Sequence, residues 1–301
     1  MKRILLIGVA LVWAGLGTGV PVSLAEENGR AVVFYSGRSE NQDVYILHPG
    51  ESEPRNLTHH PAEDNCPAAS PDGTRIAFLS DRSGVRQVYS MDLDGGNMKQ
   101  LTDLPGAKDH VEYSPDGRRI AFVMDLETRT EIWIMDADGA NPRRLTRNEA
   151  RDERPFVSPD GSRIVFMSNR DGGYEIYTMA VDGTDQTRLT RTPEWEIFPT
   201  WSPDGKEIAY ASKSRGPDGR MQGMIRVMNA DGSNDRAVTG VETRDENPMW
   251  SPDGRQLVFQ SVRDGNFEVY RIARDGSDPV RLTHHPAWDG WASFVPAPRP
   301  R

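Results

Sequence analysis

Acidic side chains recur at one offset along this chain. Asp64, Asp152, Glu196 and Asp245 each stand six positions before the serine of a Ser-Pro-Asp-Gly tetrapeptide, and Asp289 takes the same place in an aligned closing segment. Lys108 fills the position in one unit, with Asp109 beside it, where the pattern slips by one. Carboxylates gathered at one opening hold a hard cation through oxygen, as Ca²⁺ and Mg²⁺ prefer, or draw in a basic peptide by focusing field in a concave site. A structural account competes with both. Arginines of the neighbouring loops at a matched offset, Arg82, Arg170 and Arg263, would pair with the carboxylates and tie blades together at the mouth. The recurring arginine favours that account, and a cation on the axis, such as Ca²⁺ near Asp152, Glu196 and Asp245, is the second reading.

Aromatic side chains sit beside these acids. Trp195 and Trp288 share one position, directly before Glu196 and Asp289, and are candidates to anchor a peptide or stack on a sugar at the same mouth, with packing between units as the alternative. Trp201 and Trp250 directly precede the turn serine and read as core. Paired histidines, His59-His60 and His284-His285, belong to a duplicated Leu-Thr-His-His-Pro-Ala phrase, so copying of the unit explains them without metal. No nucleophile, base and acid motif, Gly-rich phosphate loop or cysteine-based zinc spacing is present. The single cysteine, Cys66, has no evident activator.

The elements that carry these residues follow from the repeat. Ser-Pro-Asp-Gly begins at Ser70, Ser114, Ser158, Ser202 and Ser251, with spacings of 44, 44, 44 and 49 residues. A period of this length with turn chemistry at fixed offsets marks an array whose units cannot each bury a core alone. Short β-rich runs alternate with Gly, Asp and Pro clusters, which predicts four short strands per unit. The run Ile164–Met167 has no polar face, so that strand must be covered on both sides. Six Leu-Thr-type endings, at Thr58, Thr102, Thr146, Thr190, Thr239 and Thr283, face five Ser-Pro-Asp-Gly beginnings. The segment after Thr283 supplies a lone first strand, and the segment from Ala31 to Thr58 supplies only the last three. Joined, they complete a sixth sheet and close a ring, which predicts an all-β, six-bladed β-propeller of four antiparallel strands per blade. The 49-residue interval places an insertion in the loop from Lys213 to Met224, whose Arg215 and Arg220 would project at the mouth.

Residues 1–25 read as a signal peptide: Lys2 and Arg3 precede an apolar run, and Ser23-Leu24-Ala25 supplies the small residues of a cleavage site. Residues 26–301 then form the single propeller domain, without a transmembrane anchor and as a monomer. Removing the segment takes the formal net charge from −9 to −11. An acidic chain lacks the basic field that nucleic acid requires, and one cysteine excludes an internal disulfide framework. Stability must come from packing.

The pattern Asp-x-x-Pro-x-Trp-Ser-Pro-Asp-Gly, followed by Ile-Ala-(Phe/Tyr)-x-Ser, Glu-Ile-Tyr, Asp-Gly and Leu-Thr, resembles the propeller repeat of the bacterial TolB family. Residues 245–254, Asp-Glu-Asn-Pro-Met-Trp-Ser-Pro-Asp-Gly, fit it closely. The resemblance covers nearly all of the chain after residue 25. It implies an exported protein, periplasmic or secreted, that acts as a non-catalytic binding module for an envelope protein or peptide, with a lipoprotein of the peptidoglycan-associated type as the example TolB offers. TolB carries an α/β domain before its propeller that residues 26–30 cannot hold, so a role that needs that domain is not expected. The alternative is a propeller hydrolase or lyase acting on a polysaccharide or peptide at the acidic, aromatic mouth.

Overall fold

The computed structural model describes residues 31–39, 41–48, 51, 53–241, 243–284 and 288–295; the expected signal segment lies outside them. They form six four-stranded antiparallel sheets. The first joins β1 (Val32–Ser36), β2 (Asp43–Leu47) and β3 (Arg55–Asn56) to the last strand of the chain, β24 (Asp289–Phe294). The second holds β4 (Asp64–Ala69), β5 (Arg75–Ser80), β6 (Gln87–Asp92) and β7 (Lys99–Gln100), and the third β8 (Ala107–Tyr113), β9 (Arg119–Asp125), β10 (Thr130–Asp136) and β11 (Arg143–Arg144). The fourth contains β12 (Asp152–Val157), β13 (Arg163–Ser168), β14 (Glu175–Ala180) and β15 (Thr187–Arg188). The fifth contains β16 (Trp195–Trp201), β17 (Glu207–Arg215), β18 (Met221–Asn229) and β19 (Arg236–Ala237), and the sixth β20 (Asp245–Trp250), β21 (Gln256–Ser261), β22 (Glu268–Ala273) and β23 (Val280–Arg281).

The inner strands β4, β8, β12, β16, β20 and β24 each touch the next, and β24 touches β4, so the sheets are the blades of a closed six-bladed propeller. Closure is made by β1 and β24, paired from Val32↔Phe294 to Ser36↔Asp289. Each second strand is buried on both faces, as Ile164, Val165, Phe166 and Met167 illustrate. Neighbouring blades bury these faces against each other in a series of apolar clusters around the ring. No helix among the described residues is long and apolar enough to cross a membrane.

Two repeat phrases account for the turns. In every Ser-Pro-Asp-Gly copy the serine Oγ donates to the aspartate Oδ1 at 2.6 Å and accepts the N–H five residues on, which locks the reversal between first and second strands. The Asp-Gly phrase, between third and fourth strands, meets the Leu-Thr phrase of the preceding blade. A Cβ on Gly139, at φ +94°, would lie 2.5 Å from the Leu101 carbonyl oxygen. Gly139→Ala therefore combines an unfavourable φ with a clash against backbone that cannot retreat. The expected loss is roughly 2 kcal/mol or more in urea unfolding, whereas Gly161→Ala, with positive φ but no atom near, should lose less.

Each inner strand carries a bulge. Its register against the second strand breaks in all six blades, after the second residue of β4, β12, β20 and β24 and after the third of β8 and β16. The next residue takes a left-handed conformation: Cys66, His110, Arg154, Phe198, Asn247 and Trp291 have φ between 47° and 58°. A bulge of this kind re-aims one side chain, and here it turns six of them to the axis.

Candidate functional site

The recurring acids are held inside their own blades. Asp64, Asp152, Asp245 and Asp289 are fully buried, each receiving a guanidinium at 2.7–3.2 Å from Arg82, Arg170, Arg263 or Arg38. Each of those arginines also lies over a phenylalanine of the second strand and a tyrosine of the third, and its Nε donates to the serine that ends the second strand. The expectation that these pairs tie neighbouring blades together is corrected. The arginine leaves the second strand and returns to the first strand of the same sheet, because the acid directly faces that serine in the register.

Two blades lack the clamp. Lys108 is fully buried, with Nζ 2.8 and 2.5 Å from the Leu104 and Gly106 carbonyl oxygens. Glu196 is buried with only Thr192 and Ser212 as donors to Oε1, and its Oε2 has no partner among the described residues. Burial pushes its carboxyl from 4.5 up to about 7, partly offset by the two hydroxyls. The folded state thus favours the neutral acid, so this stabilisation is complete below pH 4.5 and is lost as the pH rises through 7. Urea unfolding from pH 4 to pH 8 should show the native protein losing about 3 kcal/mol relative to Glu196→Gln across that window. A constant difference between the two would refute the assignment.

The axis is occupied by the bulge ring. The Arg154 guanidinium carbon lies 3.7 Å from the centre of the Trp291 ring and 5.1 Å from that of Phe198, and its Nη1 donates to His110 Nδ1 at 3.1 Å. Trp291 and Phe198 meet edge to face at 6.0 Å. Arg154 and Trp291, with Cys66, floor a cup of about 710 Å³ at the mouth, the end where the inner strands begin. Its wall includes Tyr35, Asn65, Arg86 and Asp109. Asp109 is the one residue of the predicted acidic set that lines it. Burial pushes the Asp109 carboxyl up, but Arg154 and Arg86 outweigh it and hold the group ionised below the usual carboxylate range.

The other predicted residues stand around this cup without lining it. Trp288 backs Tyr35 edge to face at 5.0 Å, and Trp195 is half exposed against Tyr174 at 6.3 Å. The insertion is not an irregular loop. β17 and β18 continue their ladder through Lys213↔Gly223 to Arg215↔Met221, turning at residues 216–219. The hairpin is rooted by a 2.5 Å ion pair from Lys213 to Glu246 of the next blade, with Arg215 and Arg220 at its exposed tip. His59, His60 and His284 are exposed, and His285 lies outside the described residues. Among the described residues no three His, Cys, Asp or Glu side chains gather as a metal site requires. The bulge ring was missed in the sequence, although a signal exists: its six residues are all different at one offset of an otherwise repetitive unit.

A model described as the TolB beta propeller domain matches residues 25–109 and 101–224. The chain belongs to the TolB propeller family. Among solved structures, TolB from Acinetobacter baumannii superposes with a TM-score of 0.78 at 22% identity, covering 93% of this chain and 69% of that one. A putative TolB from Agrobacterium tumefaciens gives 0.68 at 23% identity, over 89% and 99%. An oligogalacturonate lyase from Vibrio parahaemolyticus gives 0.57 at 16% identity, over 85% and 73%. At these identities the TolB-type propeller shares the fold with all three, and the fold alone does not carry an activity. No curated protein matches the sequence.

Proposed function

We propose that this TolB-type propeller is an exported, non-catalytic module, periplasmic or secreted, that captures an extended segment of an envelope protein in its mouth cup. A lipoprotein of the peptidoglycan-associated type is the partner class that the family resemblance offers. The observation that carries the reading is the floor: an arginine packed over the Trp291 ring, and close to that of Phe198, at the bottom of a wide cup with polar side chains in its wall. Arginine and tryptophan in a central, partly desolvated pocket are the residues that dominate protein interfaces. Asp109 and Arg86 on the wall supply one charge of each sign to set register along the bound segment. Immobilised protein exposed to envelope extract should retain one partner whose identification yields a peptide that binds the isolated propeller. A partner that binds equally well when Asp109 and Arg86 are exchanged for alanine would place recognition elsewhere.

A further inference from the structure

A second cavity, of about 60 Å³, lies on the axis below the Arg154 floor. Inner strands run from the mouth towards the Ser-Pro-Asp-Gly turns, and this cavity is lined by their left-handed bulge residues and the one or two residues that follow, deeper than the cup. At about 10–15 Å³ for each water-sized sphere it admits about four of them, the size of a molecule of four or five non-hydrogen atoms. Its walls are apolar: Pro67, Val111, Phe156, Pro199, Pro248 and Met249.

Three polar groups belong to the same lining. Glu112 is partly exposed, and burial pushes its carboxyl from 4.5 up to about 8, so at neutral pH it is largely an O–H donor. His110 is held neutral by burial and by Arg154. Because its Nδ1 accepts from Arg154, its proton sits on Nε2. That Nε2, like Nδ2 of Asn247, is buried without a partner among the described residues. Buried donors without an acceptor are costly. A ligand that supplies acceptor oxygens answers His110 and Asn247 and accepts from the Glu112 acid as well, and Arg154 in the roof adds a positive charge that an amine would oppose.

We propose that this axial cavity binds a small carboxylate of two or three carbons, its oxygens accepting from Glu112, His110 and Asn247 and its alkyl tail packing on the proline, valine and methionine walls. The site lies below the mouth cup and shares Cys66, Arg154 and Trp291 with it, but Glu112, His110 and Asn247 line this cavity and not the cup. Among the groups around it, Cys66 remains a thiol with its pKa pushed up to about 12 by burial, Tyr113 remains neutral with its own near 12, Asp109 stays ionised and His110 stays neutral. Of the lining groups with a shifted value, Glu112 alone falls between pH 6 and 10; Lys108, lowered by burial to about 8 on the same strand, lies outside the lining, and the Glu112→Gln variant separates the two. Above pH 8 it becomes a carboxylate, loses its donor and repels the ligand.

Calorimetric titration of the native protein with sodium propionate at pH 6.5 and pH 9.5 tests this. Affinity should fall at least tenfold at the higher pH, Glu112→Gln should bind alike at both, and Asn247→Ala should bind several-fold more weakly. A tripeptide ending in a free alanine carboxylate distinguishes the source: displacement of propionate by the free acid, but not by its amide, marks a peptide terminus, and failure to displace marks a free small acid. Folded native protein that takes no propionate at either pH overturns the proposal. So does binding that tightens with pH, or a preference for butylamine.

Discussion

Arg38→Ala will destabilise the propeller by about 3–5 kcal/mol, because it leaves Asp289 fully buried with Ser36 as its one remaining side-chain donor among the described residues. The Arg38 fork reaches both Asp289 oxygens, at 3.0 and 3.2 Å, across 251 residues of sequence. It fastens the seam at which β24 pairs with β1 to close the ring. Arg82→Ala breaks the equivalent clamp of a blade whose strands follow one another in the chain, so its thermodynamic cost should be similar. The two will differ in how they open. With Arg38 removed, β24 is released first, and limited proteolysis should cut near residue 289 well below the unfolding temperature; with Arg82 removed, cleavage should follow global unfolding. Asp289→Asn combined with Arg38→Met should recover much of the loss, since an uncharged pair leaves no buried charge to compensate. A melting temperature unchanged in Arg38→Ala would show that the seam is held by strand pairing alone.

Arg154→Ala will reduce partner capture at least thirtyfold, the loss associated with about 2 kcal/mol at an interface anchor. The guanidinium is packed on Trp291 and Phe198 and hydrogen bonded to His110, so its position is set before any partner arrives. Such preorganisation removes an ordering cost from binding. Lysine at 154 should not restore affinity, because an ammonium lacks the planar face that stacks on indole and the fork that engages a carbonyl or carboxylate. Removing Arg154 also strips Asp109 of its stronger counter-charge, so the Asp109 carboxyl should titrate at higher pH in the variant. Surface plasmon resonance with the identified partner, alongside an NMR titration of Asp109, separates the two effects. Alanine at Arg215 and Arg220, on the hairpin tip outside the cup, should instead alter the association rate and its salt dependence.

The architecture was legible because punctuation in this chain is local. A Ser-Pro-Asp-Gly turn is set by its own four residues, and counting turns against Leu-Thr endings located the seam between β1 and β24. The clamps were half legible. Arg82, Arg170 and Arg263 carry their own offset, but whether they reach within a blade or between blades depends on register across a bulge, which no pattern of residue types reveals. Arg38 was not recognised, since its blade is split between distant parts of the sequence. The floor of the cup was opaque for a different reason. A left-handed residue is usually signalled by glycine or asparagine, whereas here cysteine, histidine, arginine, phenylalanine and tryptophan adopt it because the paired strands on either side impose it. The insertion was found by counting, but it became a hairpin because its residues could extend an existing ladder.

That imposed conformation sets the terms on which the molecule can change. A non-glycine residue held at positive φ costs on the order of 1 kcal/mol or more, and the ring repeats that cost six times around one axis. Glycine substitutions there would relax the backbone and raise stability while erasing the side chains that face the ligand. Stability and recognition are therefore opposed at these six positions. Blade packing constrains almost every other residue of the repeat, yet it fixes only the backbone at this one. A lineage built on such a repeat can revise what its axis recognises one side chain at a time, leaving the scaffold that presents it unaltered.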